Sequence, residues 1–159
     1  CVDRLPDCSG RPLGEVGEIW IEQIETRGAL AYDSLFPGTK SVLKALTQAQ
    51  KPVVLITNRS RPKNIHWELQ QLDIDRYFHD VMINHQPLTS KADLIDRQYG
   101  DNLDDAVIVG DSGNDIDAGR AVRITTVGAT TGIRTRHLLE QHDPDHLVKA
   151  ICELLAIIP

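Results

Sequence analysis

Positive charge is in short supply in this sequence. Lys and Arg number 17 against 23 Asp and Glu, a net charge of −6. That balance argues against a nucleic-acid partner held through phosphate contacts. No apolar run is long enough to span a bilayer and no signal peptide is visible, so no membrane partner and a cytoplasmic location are expected. Cysteine is sparse and odd in number: Cys1, Cys8 and Cys152 have no metal-like spacing and read as reduced thiols. Internal repeats and low-complexity tracts are absent, which excludes a solenoid. The first residue is Cys1 and not Met, so a processed product or the visible part of a longer protein is expected. What remains is 159 residues, 41% apolar and 25% charged. That is enough for one domain with a real core and too few for two large ones.

From residue 37 onward helical and strand patterns alternate. Pro37-Gly38 opens a helix through Gln48, with Val42, Leu43 and Leu46 on one face. Pro52 to Ile56 is a short apolar run of the kind that forms a buried parallel strand. Arg61-Pro62 starts a helix with Ile65, Leu69 and Leu72 at helical spacing. Val81 to Ile83 reads as a short strand, and Ser90 caps a helix to about Tyr99. Ala106 to Val109 is a second buried strand, a helix starts near Asp115, and Ile124 to Val127 is a third strand. Leu147 to Ile157 reads as a final amphipathic helix. The pattern predicts an α/β fold with a doubly wound parallel sheet. Residues 1–36 form a separate N-terminal segment and 37–159 the core. Within the former, Val16 to Ile24 fits either a strand or a helix.

Ligands of open α/β sheets sit beyond the carboxyl ends of the strands, and three features fall there. Thr57-Asn58 follows Val53-Val54-Leu55-Ile56 and offers a hydroxyl and backbone N–H groups to phosphate oxygens. Lys91 opens a helix, where the dipole favours anions, so its ammonium calls for an anionic partner. In Val107-Ile108-Val109-Gly110-Asp111-Ser112-Gly113-Asn114-Asp115-Ile116-Asp117, three carboxylates follow an apolar strand. Asp111 and Asp115 can both face the strand tip across the Gly113 turn. Such like charges repel unless a cation sits between them, and Mg²⁺ is the natural partner for hard oxygen ligands.

These pieces, with Leu35-Phe36-Pro37-Gly38-Thr39 before them and Ala118-Gly119 after, resemble the haloacid dehalogenase-like (HAD) hydrolases, especially the phosphoglycolate-phosphatase type. They keep the family's order over residues 36–157. The resemblance implies a Rossmann-like core and a Mg²⁺-dependent phosphomonoesterase for a small phosphorylated metabolite. It implies that Thr57 and the Asn58 amide bind the transferring phosphoryl group, and that Lys91 offsets charge. Asp111 would ligate Mg²⁺, and Asp115 would support the metal or order Lys91. The family reaction passes through an aspartyl-phosphate.

One family element has no match. An apolar strand ending in Asp-x-Asp should precede Pro37, and neither Asp3 nor Asp33 lies in such a segment. In the family that strand is central, between the strand before Thr57 and the strand before Asp111. Its loss bares two edges inside the core. Three resolutions are open: the strand lies upstream of Cys1, a complementing chain or second copy supplies it, or residues 16–24 replace it and bring Glu22 or Glu25 near the site. The alternative to an enzyme is an inactive HAD-like binding or regulatory module, or a fragment completed by a partner.

Other features are bland. Gly10-Arg11-Pro12-Leu13-Gly14-Glu15-Val16-Gly17-Glu18-Ile19-Trp20-Ile21 is similar to a segment of adenylate-forming acyl-CoA synthetases, which implies at most a structural strand or fusion remnant. His142 and His146 flank Pro144 and read as loop residues. Trp20 and Trp67 are expected to pack. Gly128-Ala129-Thr130-Thr131-Gly132 fits either a plain loop or the site mouth.

Overall fold

A computed structural model describes residues 13–59, 61–84, 89–100, 102–132 and 134–158. Cys1 and Cys8 lie outside the described residues; Cys152 is an exposed free thiol. The chain divides into two compact units. Among the described residues no helix is long and apolar enough to cross a membrane.

The first unit takes in the N-terminal residues to Ser34 and the segment Arg59–Arg76. It is helical, built from α1 (Leu13–Ile24), α2 (Arg27–Leu30) and α4 (Pro62–Gln71). Thr26 caps α2 by accepting a hydrogen bond from Ala29 N at 3.3 Å. Pro62 stands in the first turn of α4, where its missing N–H costs nothing. Leu30, Ile65, Leu69 and Ile74 are buried. Arg27 lies 5.5 Å from the Trp67 ring centroid, a cation–π contact. Trp20, by contrast, is half exposed, so it does not pack as expected. Val16–Ile24 resolves as helix, with Glu22 and Glu25 carried in the first unit and not on a replacement strand. The helical turn also overturns a structural strand for Leu13–Ile21.

The second unit comprises Leu35–Asn58 and Tyr77–Pro159. α3 (Thr39–Gln48) starts after Gly38, whose φ of 86° suits a glycine. β1 (Val54–Thr57) pairs in parallel with β2 (Asp80–Ile83), Thr57 opposite Ile83. α5 (Lys91–Tyr99) follows, closed at its start by a reciprocal Ser90–Asp93 capping box. β3 (Val107–Gly110), β4 (Thr125–Ala129) and β5 (His146–Val148) form a second parallel ladder in that order. α6 (Gly113–Ala121) links β3 to β4, and α7 (Arg136–Glu140) links β4 to β5.

Strand alternation sends side chains to two faces, and both are covered. Val127, Ala129 and Val148 pack with Val42 of α3 and Leu154. Ile108 packs with Ala118 of α6 and Ile95 of α5, and Ile56 of β1 joins that cluster. The fold is thus a doubly wound α/β arrangement with every ladder parallel. Its sheet is split: among the described residues no ladder joins β1 to β3. No residue of β1 or β2 is fully buried, and Val109 on β3 remains 37% exposed. Parallel strands are normally buried on both faces.

The expected helix over Leu147–Ile157 is not found. Leu147 and Val148 belong to β5, and only Ile151–Ala156 coils, as a 3-10 turn. Val148 is 1% exposed opposite Ala129; pairing with β4 outweighs the local helical pattern. α7 carried too short an apolar pattern to be recognised.

Candidate active site

Each candidate residue stands at the carboxyl end of a strand or at the helix start that follows. Thr57 is the last residue of β1 and Asn58 the next. Asp111 follows β3, and Asp115 lies in the first turn of α6. Lys91 is the first residue of α5.

A short, buried contact joins Lys91 to Asp115. Lys91 Nζ donates to Asp115 Oδ1 at 2.5 Å. The two side chains are only 15% and 9% exposed. Burial makes each charge costly without the other, so the pair holds both in place. The second oxygen of Asp115 is also engaged: Oδ2 accepts from Ser112 Oγ at 2.7 Å and from Ser112 N at 3.3 Å. Asp115 therefore fixes the loop after β3 and the lysine together.

Two close approaches complete the loop. A Cβ at Gly110 would fall 2.1 Å from Asp115 Cβ, and one at Gly132 would fall 2.1 Å from Asp111 Cβ. Only glycine leaves room for either carboxylate. Gly132 thereby belongs to the surroundings of Asp111, whereas Gly128 and Ala129 end β4.

Asn58 and Lys91 line one cavity of about 370 Å³, together with Asn84, Thr89, Asn114 and Asp117. Asn84 Nδ2 donates to Asn58 Oδ1 at 3.2 Å. No sequence pattern marks Asn84, because it enters through the register of β1 on β2. His142, read as a loop residue, has its ring against Gly113 and its Nδ1 2.9 Å from Asp117 Oδ1. His146 stands exposed on β5. Among the described residues no group of three or more His, Cys, Asp or Glu is arranged to hold a metal ion.

Parallel ladders wound on both faces and the Gly110-Asp111-Ser112-Gly113-Asn114-Asp115 loop define a class: the chain belongs to the haloacid dehalogenase-like hydrolase family, whose model matches residues 9–123. That match takes in the whole of the segment also likened to acyl-CoA synthetases. The chain is 32% identical to a phosphoglycolate phosphatase of Escherichia coli K12 over 126 residues, covering 76% of this chain and 50% of that one. A phosphoglycolate phosphatase of Salmonella typhi is 30% identical over the same shares. The chain spans about half the length of these curated relatives. Among solved structures, a haloacid dehalogenase-like hydrolase from Streptococcus pneumoniae superposes with a TM-score of 0.78 at 20% identity, covering 99% of this chain and 74% of that one. A predicted phosphoglycolate phosphatase from Haemophilus somnus 129pt gives 0.71 at 22% identity, with 92% and 64% covered. At these identities the structures speak for the fold.

Proposed function

We propose that this chain supplies the phosphate- and charge-handling part of a Mg²⁺-dependent phosphomonoester hydrolase. The observation that carries the reading is Lys91, held by buried Asp115, lining one cavity with Asn58. A lysine held in this way presents a preorganised positive charge to a phosphoryl group, which is worth most where water is excluded. The Thr57 hydroxyl and the Asn58 amides would donate to phosphoryl oxygens. The phosphoglycolate phosphatase relatives support a small phosphorylated metabolite as substrate, and a cytoplasmic setting goes with it.

Asp111 would hold Mg²⁺. A single protein carboxylate suits a cation that keeps several waters and takes its remaining oxygens from substrate phosphate. When bound, Mg²⁺ would neutralise phosphoryl charge. Asp115 accepts from Lys91 through Oδ1 and from Ser112 through Oδ2, so its part is to order the lysine while supporting the metal. The attacking aspartate would come from an Asp-x-Asp strand laid between β1 and β3, giving the aspartyl-phosphate that water then hydrolyses.

The split between the two ladders favours a second reading. Here the chain is a non-catalytic module, or one half of a domain that a partner chain or second copy completes. The test is hydrolysis of p-nitrophenyl phosphate by the source protein in Mg²⁺ and in EDTA, with Lys91→Ala and Asp111→Asn alongside. EDTA-sensitive turnover lost in both variants supports the hydrolase. Turnover indifferent to EDTA and to Lys91→Ala overturns it. Phosphate binding without turnover supports the second reading.

A further inference from the structure

Asn84 follows β2, and its placement is set by the ladder. The register puts Thr57 opposite Ile83, so Asn58 and Asn84 are the next pair along. Side chains of paired residues emerge on the same face. The backbone is tied there, since Asn84 N donates to Thr57 O at 2.8 Å. Among the described residues one side-chain nitrogen serves two acceptors: Nδ2 lies 2.6 Å from Thr89 O and 3.2 Å from Asn58 Oδ1.

Those contacts have a fixed polarity. A backbone carbonyl only accepts, so the Asn84 group facing Thr89 must be the NH₂. The same NH₂ faces Asn58, so Asn58 must turn its oxygen toward it. One carbonyl thus settles two amide orientations that would otherwise be interchangeable. With its oxygen committed to Asn84, Asn58 keeps its Nδ2 donors for the cavity it shares with Lys91.

We infer that Asn84 is a positioning residue: it sets Asn58 so that an anion in this cavity meets an N–H donor beside the Lys91 ammonium. The inference rests on the phosphate reading above. With the opposite flip Asn58 would present lone pairs to the anion, and the contact would repel. Thr89 stands two residues before Lys91, so the same amide also ties Asn58 to the segment that delivers the lysine.

The test has two arms, both on the intact chain. Asn84→Ala is expected to fold, because the Asn84 backbone bond to Thr57 does not need the side chain. In the first arm, NMR without ligand follows the Asn58 side-chain amide protons. They are expected to shift in Asn84→Ala; unmoved resonances overturn the inference whatever phosphate does. The second arm titrates inorganic phosphate calorimetrically into wild type, Asn84→Ala, Asn58→Ala and the double variant. Asn84→Ala is expected to weaken binding several-fold, up to about tenfold, and to add little once Asn58 is gone. Equal losses in both backgrounds overturn the positioning role while leaving the phosphate reading intact. If the Asn58 resonances move but wild type binds no phosphate, the phosphate reading falls and takes the anion-directing role with it.

Discussion

Lys91 and Asp115 are 24 residues apart in the chain and 2.5 Å apart in space. The lysine opens one helix and the aspartate lies in the first turn of another, so the bond ties α5 to α6 at their starts. A cation at a helix N-terminus opposes the dipole; the aspartate offsets that cost. The contact thus explains why a lysine at an unfavourable position is tolerated there.

Asp115→Asn and Asp111→Asn should separate stability from metal binding. Removing the Asp115 charge leaves Lys91 buried without its partner, a loss of about 3 kcal/mol or more by analogy with other buried pairs. Asp111→Asn should lose Mg²⁺ affinity. Urea unfolding reads the first and calorimetry the second. Undiminished Mg²⁺ binding by Asp111→Asn would sink the metal assignment.

Thr57→Ala should weaken inorganic phosphate binding by roughly tenfold, the cost of one hydrogen bond to a charged group. Its circular dichroism should match wild type. Equal phosphate affinity in both proteins would remove Thr57 from the site.

Glu68 gives the first unit a pH signature. Burial, reinforced by a hydrogen bond with Asp33 and only partly opposed by Arg59, raises its pKa from 4.5 to about 7. A folded-state pKa above the unfolded one means that the folded chain holds the extra proton. Its contribution is therefore complete below about pH 4.5 and lost as pH rises through about 7. Glu68→Gln should flatten the fall in melting temperature over that window. A variant with the wild-type slope would assign the proton elsewhere.

Thr126 is fully buried and exchanges two hydrogen bonds with Asp145: its Oγ1 donates to Oδ2 at 2.7 Å and accepts from Asp145 N at 3.0 Å. Thr126 N adds a third bond at 2.8 Å. Hydrogen bonds from the Thr126 backbone and hydroxyl hold the Asp145 pKa below its usual 3.8. That stabilisation is present above the unfolded pKa and fades as pH falls through the folded one. Thr126→Val should cost about 1–3 kcal/mol at neutral pH and less in strong acid. A pH-independent loss would mean that packing, and not Asp145, explains it.

The core strands and the Gly110–Asp115 loop were legible because their signals are local. An apolar run meeting a turn and a cluster of carboxylates needs no knowledge of the rest of the chain. Lys91 was legible for a different reason: its charge contradicts its position. The C-terminal segment misled because Leu147-Val148 fits a helical stripe as well as a strand, and pairing with β4 decides between them. Asn84 could not be read at all. Its part depends on the β1–β2 register and on a carbonyl five residues on, neither of which leaves a mark in residue type.

Among the described residues the sheet is split between β1 and β3, and a strand supplied there would make completion of the fold a matter of mass action. A strand lying between β1 and β3 would act on stability as a bound ligand does, adding RT ln(1 + [L]/Kd). Carried on the same polypeptide, such a strand sits at an effective concentration in the millimolar range and saturates the gap. Carried on another molecule, it would make melting temperature climb with the concentration of that molecule. The chain would then behave as half of a natural split protein, whose folding reports how much of the other half is present.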